Sequence, residues 1–288
     1  MTALGLALGG GGVVGVAWEV GVVAGLADAL GWDPAGVRVL VGTSAGSLVG
    51  TQLLQGRTVD ELVAGQQGSA GGDVPMPPEL DLAALGEIFG TWTACDVMTP
   101  GVARTIGQRA AAAATVDEEV FLGNLGSMLA GTEWPAGDLR VTGVSVDTGE
   151  RAVWTAADGV PLERAVAASC AVPGMFPPVQ VGDGRFVDGG VWSGSNADAL
   201  LGSGVDAAVF VGPLVGDTGL GRVCGLALER ERALLAGEGI ALLDVVPGER
   251  FAVVGQDLMN PAHRAAALDA GRADGDDAAP RLKDVLAT

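Results

Sequence analysis

A serine between two glycines is the residue of this chain with the clearest chemical potential. Ser44 stands in Gly42-Thr43-Ser44-Ala45-Gly46, which fits the pattern G-x-S-x-G. In that pattern small neighbours allow a sharp turn from a strand into a helix, and the turn exposes a serine hydroxyl that can attack a carbonyl carbon. The chain contains 48 glycines, so the pattern alone is weak and its meaning depends on what surrounds it.

A carboxylate in similar surroundings occurs much later in the chain. Asp188 follows a short run of strand-forming residues and is itself followed by Gly189 and Gly190. Two glycines after a strand allow a tight loop with open space around the carboxylate, which can then accept a proton from a hydroxyl. We therefore treat Ser44 and Asp188 as a candidate nucleophile and general base.

A glycine-rich loop is the third feature, and it comprises Gly10, Gly11, Gly12 and Gly15. Consecutive glycines let backbone N–H groups converge on an oxyanion, where a Cβ would block its approach. The spacing also fits the dinucleotide fingerprint G-x-G-x-x-G, which needs an acidic residue at the end of the second strand. The second predicted strand, residues 37–41, is followed by no Asp or Glu. An oxyanion hole is therefore the favoured interpretation.

The elements that must position these residues can be predicted from hydrophobic periodicity. Strands are predicted over residues 4–8, 37–41, 139–146, 151–154, 206–211 and 240–246, with two short strands over 179–187 that turn at Asp183 and Gly184. Helices are predicted over residues 14–30, 47–55, 80–89, 101–114, 116–129, 162–169, 220–235 and 261–271.

The order of these elements predicts the fold class. The chain begins strand, helix, strand, helix, which implies parallel strands joined by a right-handed crossover. Between about residues 65 and 137 no strand pattern is convincing, which indicates a helical insertion over the sheet. The sequence contains no internal repeat and no clear linker. We expect a single α/β domain over residues 1–288, with three α/β/α layers and a mostly parallel central sheet.

The three glycine-flanked features together resemble those of one enzyme family. In an open α/β sheet the carboxyl ends of the strands form the ligand crevice, where loop, serine and aspartate can meet. Their order and types are similar to the patatin-like phospholipases, and residues 168–179, A-S-C-A-V-P-G-M-F-P-P-V, resemble that family's A-S-x-A-x-P-x-x-F-x-P stretch. The resemblance covers about residues 4–200. Val14 departs from it, because family members usually carry Arg or Lys at this loop position.

This resemblance implies a serine hydrolase that cleaves fatty acyl esters of lipids with a Ser–Asp dyad and an oxyanion hole, and without a cofactor. Whether the enzyme acts as a phospholipase, an esterase or a thioesterase stays open. Two other interpretations also stay open: a nucleotide- or phosphate-binding α/β module without hydrolase activity, and a Ser-His-Asp α/β-hydrolase. The triad would need His263, the single histidine. Because charged residues surround it, we expect it on a solvent-facing helix outside the site.

Several further side chains have two interpretations each. We expect Cys170 to be a small buried residue and no second nucleophile, and we expect an acidic tail in solvent at Asp274, Asp276 and Asp277. Five apolar residues of the insertion are candidates for the wall of an acyl channel, although such residues more often form plain core: Trp92, Met98, Phe121, Leu122 and Met128.

Composition limits the classes of partner. The chain has 35 acidic and 16 basic residues and a formal net charge of −19. A surface this acidic repels nucleic acid and anionic lipid headgroups. We therefore expect no nucleic-acid partner and at most transient contact with a membrane surface. Three scattered cysteines, no basic leader and no uninterrupted apolar run of about 18 residues predict a cytoplasmic protein. No cluster has metal-ligand spacing, and no feature indicates an oligomeric state.

Overall fold

Eight strands form one sheet in the part of the chain that the computed structural model describes, residues 2–68, 80–252, 254–255 and 257–286. They are β1 (Leu4–Leu8), β2 (Val39–Gly42), β3 (Asp138–Ser145), β4 (Arg151–Trp154), β5 (Val179–Val181), β6 (Gly184–Asp188), β7 (Ala207–Val211) and β8 (Ala241–Val245). Every predicted strand is present, with its ends within two residues of the prediction.

The sheet is mostly parallel, as the sequence predicts. Its order is β5-β6-β3-β2-β1-β7-β8, and β4 pairs with β3 beside this path. The strands β3, β2, β1, β7 and β8 are parallel to one another along this path. In contrast, β4 and β6 pair antiparallel with β3, and β5 pairs antiparallel with β6. The antiparallel strands form one edge of the sheet.

Helices cover both faces of this sheet. They are α1 (Gly12–Leu30), α2 (Ala45–Leu54), α3 (Val59–Gln67), α4 (Leu82–Thr93), α5 (Pro100–Ala112), α6 (Glu118–Met128), α7 (Leu162–Ser169), α8 (Gly219–Gly237) and α9 (Arg264–Leu286). The period-2 alternation of the strands separates the two faces: in β1, Leu6 and Leu8 pack with α1 and α2, whereas Ala7 belongs to the core under α8. The expected three-layer α/β/α architecture is confirmed.

The helical insertion is also confirmed over its described residues. Between Gly68 and Gly137 the described residues contain helices α4, α5 and α6 and no strand. Helix α6 packs beside α7, while α4 and α5 pack against the β3 and β6 edge through Ile88 and Ile106. The insertion therefore lies on both sides of the antiparallel edge of the sheet.

Strand register explains how residues far apart in sequence approach each other. Gly42, at the end of β2, pairs with Val141 of β3. Two residues further along β3, Gly143 pairs with Asp188 of the antiparallel strand β6. Since β3 extends beyond the end of β2, Asp188 lies at the level that Ser44 reaches two residues after Gly42. The aspartate thus comes to the crevice from an antiparallel strand.

Helix α1 is the central helix of the larger core. Its length and composition alone would permit a membrane span, but 67% of its apolar 18-residue stretch is buried inside the protein. Helix α9 lies along it at very short range: a Cβ on Gly271 would overlap the Trp18 carbonyl oxygen, and one on Gly21 would overlap the Leu268 carbonyl oxygen. Glycines on both helices therefore permit a backbone approach that no other residue would allow.

Three predictions near this core are corrected. The C-terminal helix was expected to end at Gly271 but continues to Leu286, because its glycines serve helix packing and do not terminate it. Asp274 is not part of a solvated tail, since it is buried and accepts a hydrogen bond from Trp18 Nε1 at 2.8 Å. Helix α3 was not predicted, although Thr58 and Glu61 form the capping box that marks its start.

Candidate active site

Ser44 occupies a strained turn between β2 and α2. Its φ of 53° and ψ of −119° make it one of the few non-glycine residues with positive φ in the described chain. A Cβ at Gly46 would overlap the Leu8 backbone, and one at Gly42 would lie 2.5 Å from Ser47 Cα. The two glycines of the motif are thus required by close backbone contacts, as the nucleophile-elbow interpretation predicts.

Three side chains hold the backbone of Ser44 in this conformation. Ser169, the last residue of α7, accepts a hydrogen bond from the Ser44 N–H at 2.9 Å. The Cys170 thiol and the Ser47 hydroxyl both donate to the Ser44 carbonyl oxygen, at 3.3 and 2.7 Å. Ser169 and Cys170, in the A-S-C stretch that carried part of the family resemblance, therefore hydrogen-bond the peptide groups on both sides of Ser44. The sequence identified this stretch but not its role.

Cys170 is only partly buried, so the expectation of a buried residue is corrected. Burial, followed by the nearby Asp188 charge, raises the pKa of Cys170 to about 12. A thiol with so high a pKa stays protonated near neutral pH, so it donates to the Ser44 carbonyl and is a poor nucleophile.

Asp188 is brought to Ser44 as the sequence predicts. Its side chain is only 3% exposed. Burial raises the pKa of the Asp188 carboxyl to about 7, while hydrogen bonds from the Ser44 side chain and the Gly190 N–H, the latter at 2.7 Å, act in the lowering direction. The site thus contains a serine hydroxyl beside a carboxyl whose proton affinity is far above that of an exposed aspartate.

A buried asparagine that the sequence analysis missed ties the two motifs together. Asn196 has a positive φ of 46°, and its Nδ2 lies 3.0 Å from Thr43 Oγ1 and 3.2 Å from the Gly189 carbonyl oxygen. Thr43 Oγ1 also hydrogen-bonds Thr142 Oγ1 of β3 at 2.9 Å. The residue before the serine and the residue after the aspartate are therefore held by one amide. No local pattern around Asn196 distinguishes it from an ordinary turn residue.

A buried glutamate supports the same loop from α8. Glu231 Oε2 accepts hydrogen bonds from the Ser195 hydroxyl at 2.5 Å and from the Ala197 N–H at 2.8 Å. Burial, reinforced by the charge of Asp198, raises the pKa of Glu231 to about 7. Glu231 therefore holds the residues on both sides of Asn196, in the loop that follows Asp188.

The glycine loop lies directly beside Ser44. A Cβ on Gly10 would be 3.6 Å from Ser44 Cβ, and the Gly10 N–H donates to the Gly194 carbonyl oxygen at 3.0 Å. Gly11 caps the N-terminus of α1 and Gly12 has a φ of 61°. Among the described residues no hydrogen-bond acceptor is recorded for the N–H groups of Gly11 and Gly12, so they can serve an anion.

Val14, at the loop position where the resembled family usually has a basic residue, is fully buried and points into the core. Its N–H donates to the Leu258 carbonyl oxygen at 2.9 Å. The C-terminal segment thus packs on the glycine loop, and two of its residues, Met259 and Arg264, line the cavity beside Ser44. This contribution from beyond residue 200 was not predicted, because the sequence pattern there matches no motif.

A largely apolar cavity of about 410 Å³ opens at Ser44. Of the five residues proposed for an acyl channel, Phe121 and Met128 line it, and Phe121 stacks on Phe176 with ring centroids 4.8 Å apart. The other three do not: Trp92 and Met98 pack under α5, and Leu122 belongs to the main core. The apolar wall of the cavity consists of Val13, Val16, Leu48, Leu62, Phe121, Leu125, Met128, Val172, Phe176 and Met259.

His263 does not line this cavity. It ends a short 3₁₀ helix before α9 and is partly exposed. Within the described ranges, no group of three or more His, Cys, Asp or Glu side chains is arranged to hold a metal ion.

The sequence model of the patatin-like phospholipase family matches residues 6–201, more than half of the chain. No curated protein matches it. Among solved structures, VipD from Legionella pneumophila is 14% identical, with a TM-score of 0.47, over 99% of this chain and 67% of that one. The type III effector protein ExoU is 16% identical, with a TM-score of 0.43, over 97% and 53%. The chain thus spans about half the length of ExoU.

The three-layer fold and the family match together define a lipid ester hydrolase. The chain belongs to the patatin-like phospholipase family.

Proposed function

We propose that this chain hydrolyses fatty acyl esters of lipids through a Ser–Asp dyad, with Ser44 as nucleophile and Asp188 as general base. The observation that carries the proposal is a buried carboxyl close enough to the elbow serine for the Ser44 side chain to affect its pKa, next to a cavity that Ser44 lines. An exposed aspartate, with a pKa near 3.9, is a weak base for a hydroxyl. Because burial raises the pKa of Asp188 to about 7, its carboxylate is a stronger base and is still substantially ionised at neutral pH.

In the first half of the proposed reaction, the acyl chain lies in the cavity and Ser44 Oγ attacks the ester carbonyl carbon. Asp188 takes the hydroxyl proton as the new C–O bond forms. The carbonyl oxygen becomes an oxyanion, which the N–H groups of Gly11 and Gly12 and the N-terminus of α1 stabilise. The Gly10 N–H already has a partner, so we assign Gly10 the role of leaving space beside Ser44.

In the second half, the bond from the carbonyl carbon to the alcohol oxygen breaks, and the alcohol leaves with the proton from Asp188. The acyl group is then esterified to Ser44. Water attacks this ester, Asp188 accepts a water proton and returns a proton to Ser44 Oγ, and the fatty acid is released. One carboxylate thus serves both halves without a histidine.

The alternatives have less support. A Ser-His-Asp triad would need His263, which does not line the cavity that Ser44 lines. A dinucleotide-binding module would need an acidic residue at the end of β2, where Gly42 is followed by Thr43 and Ser44. Neither alternative explains why a carboxyl is buried against the serine hydroxyl.

The test combines covalent labelling with three variants. A fluorophosphonate probe is expected to label wild-type protein at Ser44. Hydrolysis of p-nitrophenyl acyl esters is expected to fall by several orders of magnitude in Ser44→Ala and in Asp188→Asn. His263→Ala is the matched control and should stay within a few-fold of wild type. A folded but inactive His263→Ala would establish a triad, and tight dinucleotide binding without labelling would establish a binding module.

We further propose a cytoplasmic location, a lipid ester as the partner, no nucleic-acid partner and at most transient membrane contact. The support is the net charge of −19 and three cysteines that are free thiols, Cys95, Cys170 and Cys224. Cell fractionation and vesicle sedimentation test these statements, and stable sedimentation with anionic vesicles would contradict them.

A further inference from the structure

One wall of the cavity is formed by Ser44 and one face of α2. Ser44, Leu48 and Gln52 follow each other at intervals of four residues, and all three line the cavity. Residues four apart lie on the same face of a helix, which rises about 1.5 Å per residue. The cavity therefore runs along α2 for about 12 Å from the serine to Gln52.

The chemical character of the cavity changes along this axis. Around Leu48 the wall is apolar, formed with Leu62, Phe121 and Leu125. Gln52, one turn further along α2, is polar, as are Arg57 and Glu61, which follow it in the chain and also line the cavity. A methylene chain extending past Leu48 would lie against the buried amide of Gln52, which is unfavourable.

Gln52 is fixed at this boundary. The side chain is only 9% exposed, and its Nε2 donates to the Met128 carbonyl oxygen at 2.7 Å. This hydrogen bond joins α2 to the end of α6 and holds the Gln52 amide in the wall of the cavity, beyond Leu48. The side chain cannot move aside without leaving the partly buried Met128 carbonyl oxygen without this donor.

We propose that Gln52 determines the acyl-chain length that the enzyme accepts, as a specificity-determining residue at the end of the acyl pocket. The proposal rests on the proposed function, because it takes Ser44 as the site of ester cleavage. An extended chain with carbon–carbon bonds of about 1.52 Å advances about 1.25 Å per bond, so 12 Å accommodates about ten carbons. The preferred substrates are esters of medium-chain fatty acids.

The experiment measures kcat/KM for p-nitrophenyl esters of 4 to 16 carbons. For the wild type, kcat/KM is expected to be highest for acyl chains of about 8–10 carbons, the length that follows from the helix geometry. Gln52→Ala opens the boundary, so the optimum should move to longer chains and the ratio of the 14-carbon to the 8-carbon rate should rise about tenfold or more.

Gln55→Ala is the matched control. Gln55 joins the same end of α2 to the following segment, through the Gly131 carbonyl oxygen at 2.8 Å and the Ala130 N–H at 2.9 Å, but it does not line the cavity. This variant should keep the wild-type chain-length profile. Leu48→Phe, halfway along the pocket, should move the optimum to shorter chains, and Gln52→Met tests the boundary with nearly unchanged volume if the alanine variant does not fold.

The outcomes separate this inference from the proposed function. An unchanged profile in folded Gln52→Ala or Gln52→Met, or an equal shift in Gln55→Ala, would overturn the role of Gln52 while leaving Ser44 as nucleophile. Activity that survives Ser44→Ala would instead refute the proposed function. A wild-type optimum at 14 carbons or more would refute the pocket length itself.

Discussion

Asp188→Asn is expected to make the protein inactive and, at alkaline pH, more stable. The carboxyl is almost fully buried, and burial raises its pKa from the ordinary 3.8 to about 7. Between these two values the folded protein binds a proton that the unfolded chain has released. The free energy of unfolding therefore falls as pH rises from about 4 to about 7 and stays low above that.

The size of this effect follows from the shift. One pKa unit corresponds to about 1.36 kcal/mol, so a shift of about three units costs the folded state about 4 kcal/mol above pH 7. At pH 5 the same group costs less than about 2 kcal/mol. Asparagine carries no charge at either pH and its Oδ1 can still accept the Gly190 N–H. The variant should thus gain up to about 4 kcal/mol at pH 8.5 and clearly less at pH 5.

Urea unfolding of wild type and Asp188→Asn at pH 5 and 8.5 measures this difference. Asp183→Asn, in the exposed turn of the same hairpin, is the control and should change stability little at either pH. A variant less stable than wild type at pH 8.5, or one that gains equally at both pH values, would refute the argument that burial of this charge is the cause. Retained hydrolysis in the folded variant would refute its role as base.

The remaining predictions concern activity, packing and metals. If Asp188 is the base, kcat/KM should rise with pH with a midpoint near 7, since only the ionised carboxyl accepts the serine proton; a flat profile from pH 5 to 9 would contradict this. Gly271→Ala should destabilise by about 2 kcal/mol or more because its Cβ overlaps Trp18, whereas Gly237→Ala, with open space around it, should stabilise by about 0.5–1 kcal/mol in urea unfolding. Ser169→Ala should lower kcat about tenfold with KM nearly unchanged, because the Ser44 N–H loses its acceptor; an equal change in KM would mean lost binding. Hydrolysis should persist after exhaustive EDTA treatment, and a loss restored by added metal would count against the dyad.

The secondary structure and the motifs can be predicted from the sequence because their signals are local. Short apolar runs identify the strands, and the glycines beside Ser44 and Asp188 mark the turns that follow β2 and β6. Where local signals conflict, sequence reasoning fails. Gly271 suggests a helix end, but its lack of a side chain serves the contact with Trp18 on another helix.

The sequence by itself determined the fold class, the succession of strands and helices along the chain, and the identities of the candidate nucleophile and base. The tertiary structure alone decided what surrounds them. The register of β6 on β3 sets Asp188 at the level of Ser44, and burial there raises its pKa to about 7. Packing also brings Asn196 and Arg264 to the site and puts Gln52 at the end of the cavity. These features depend on contacts between distant segments, and such contacts leave no periodic or neighbouring signal along the chain.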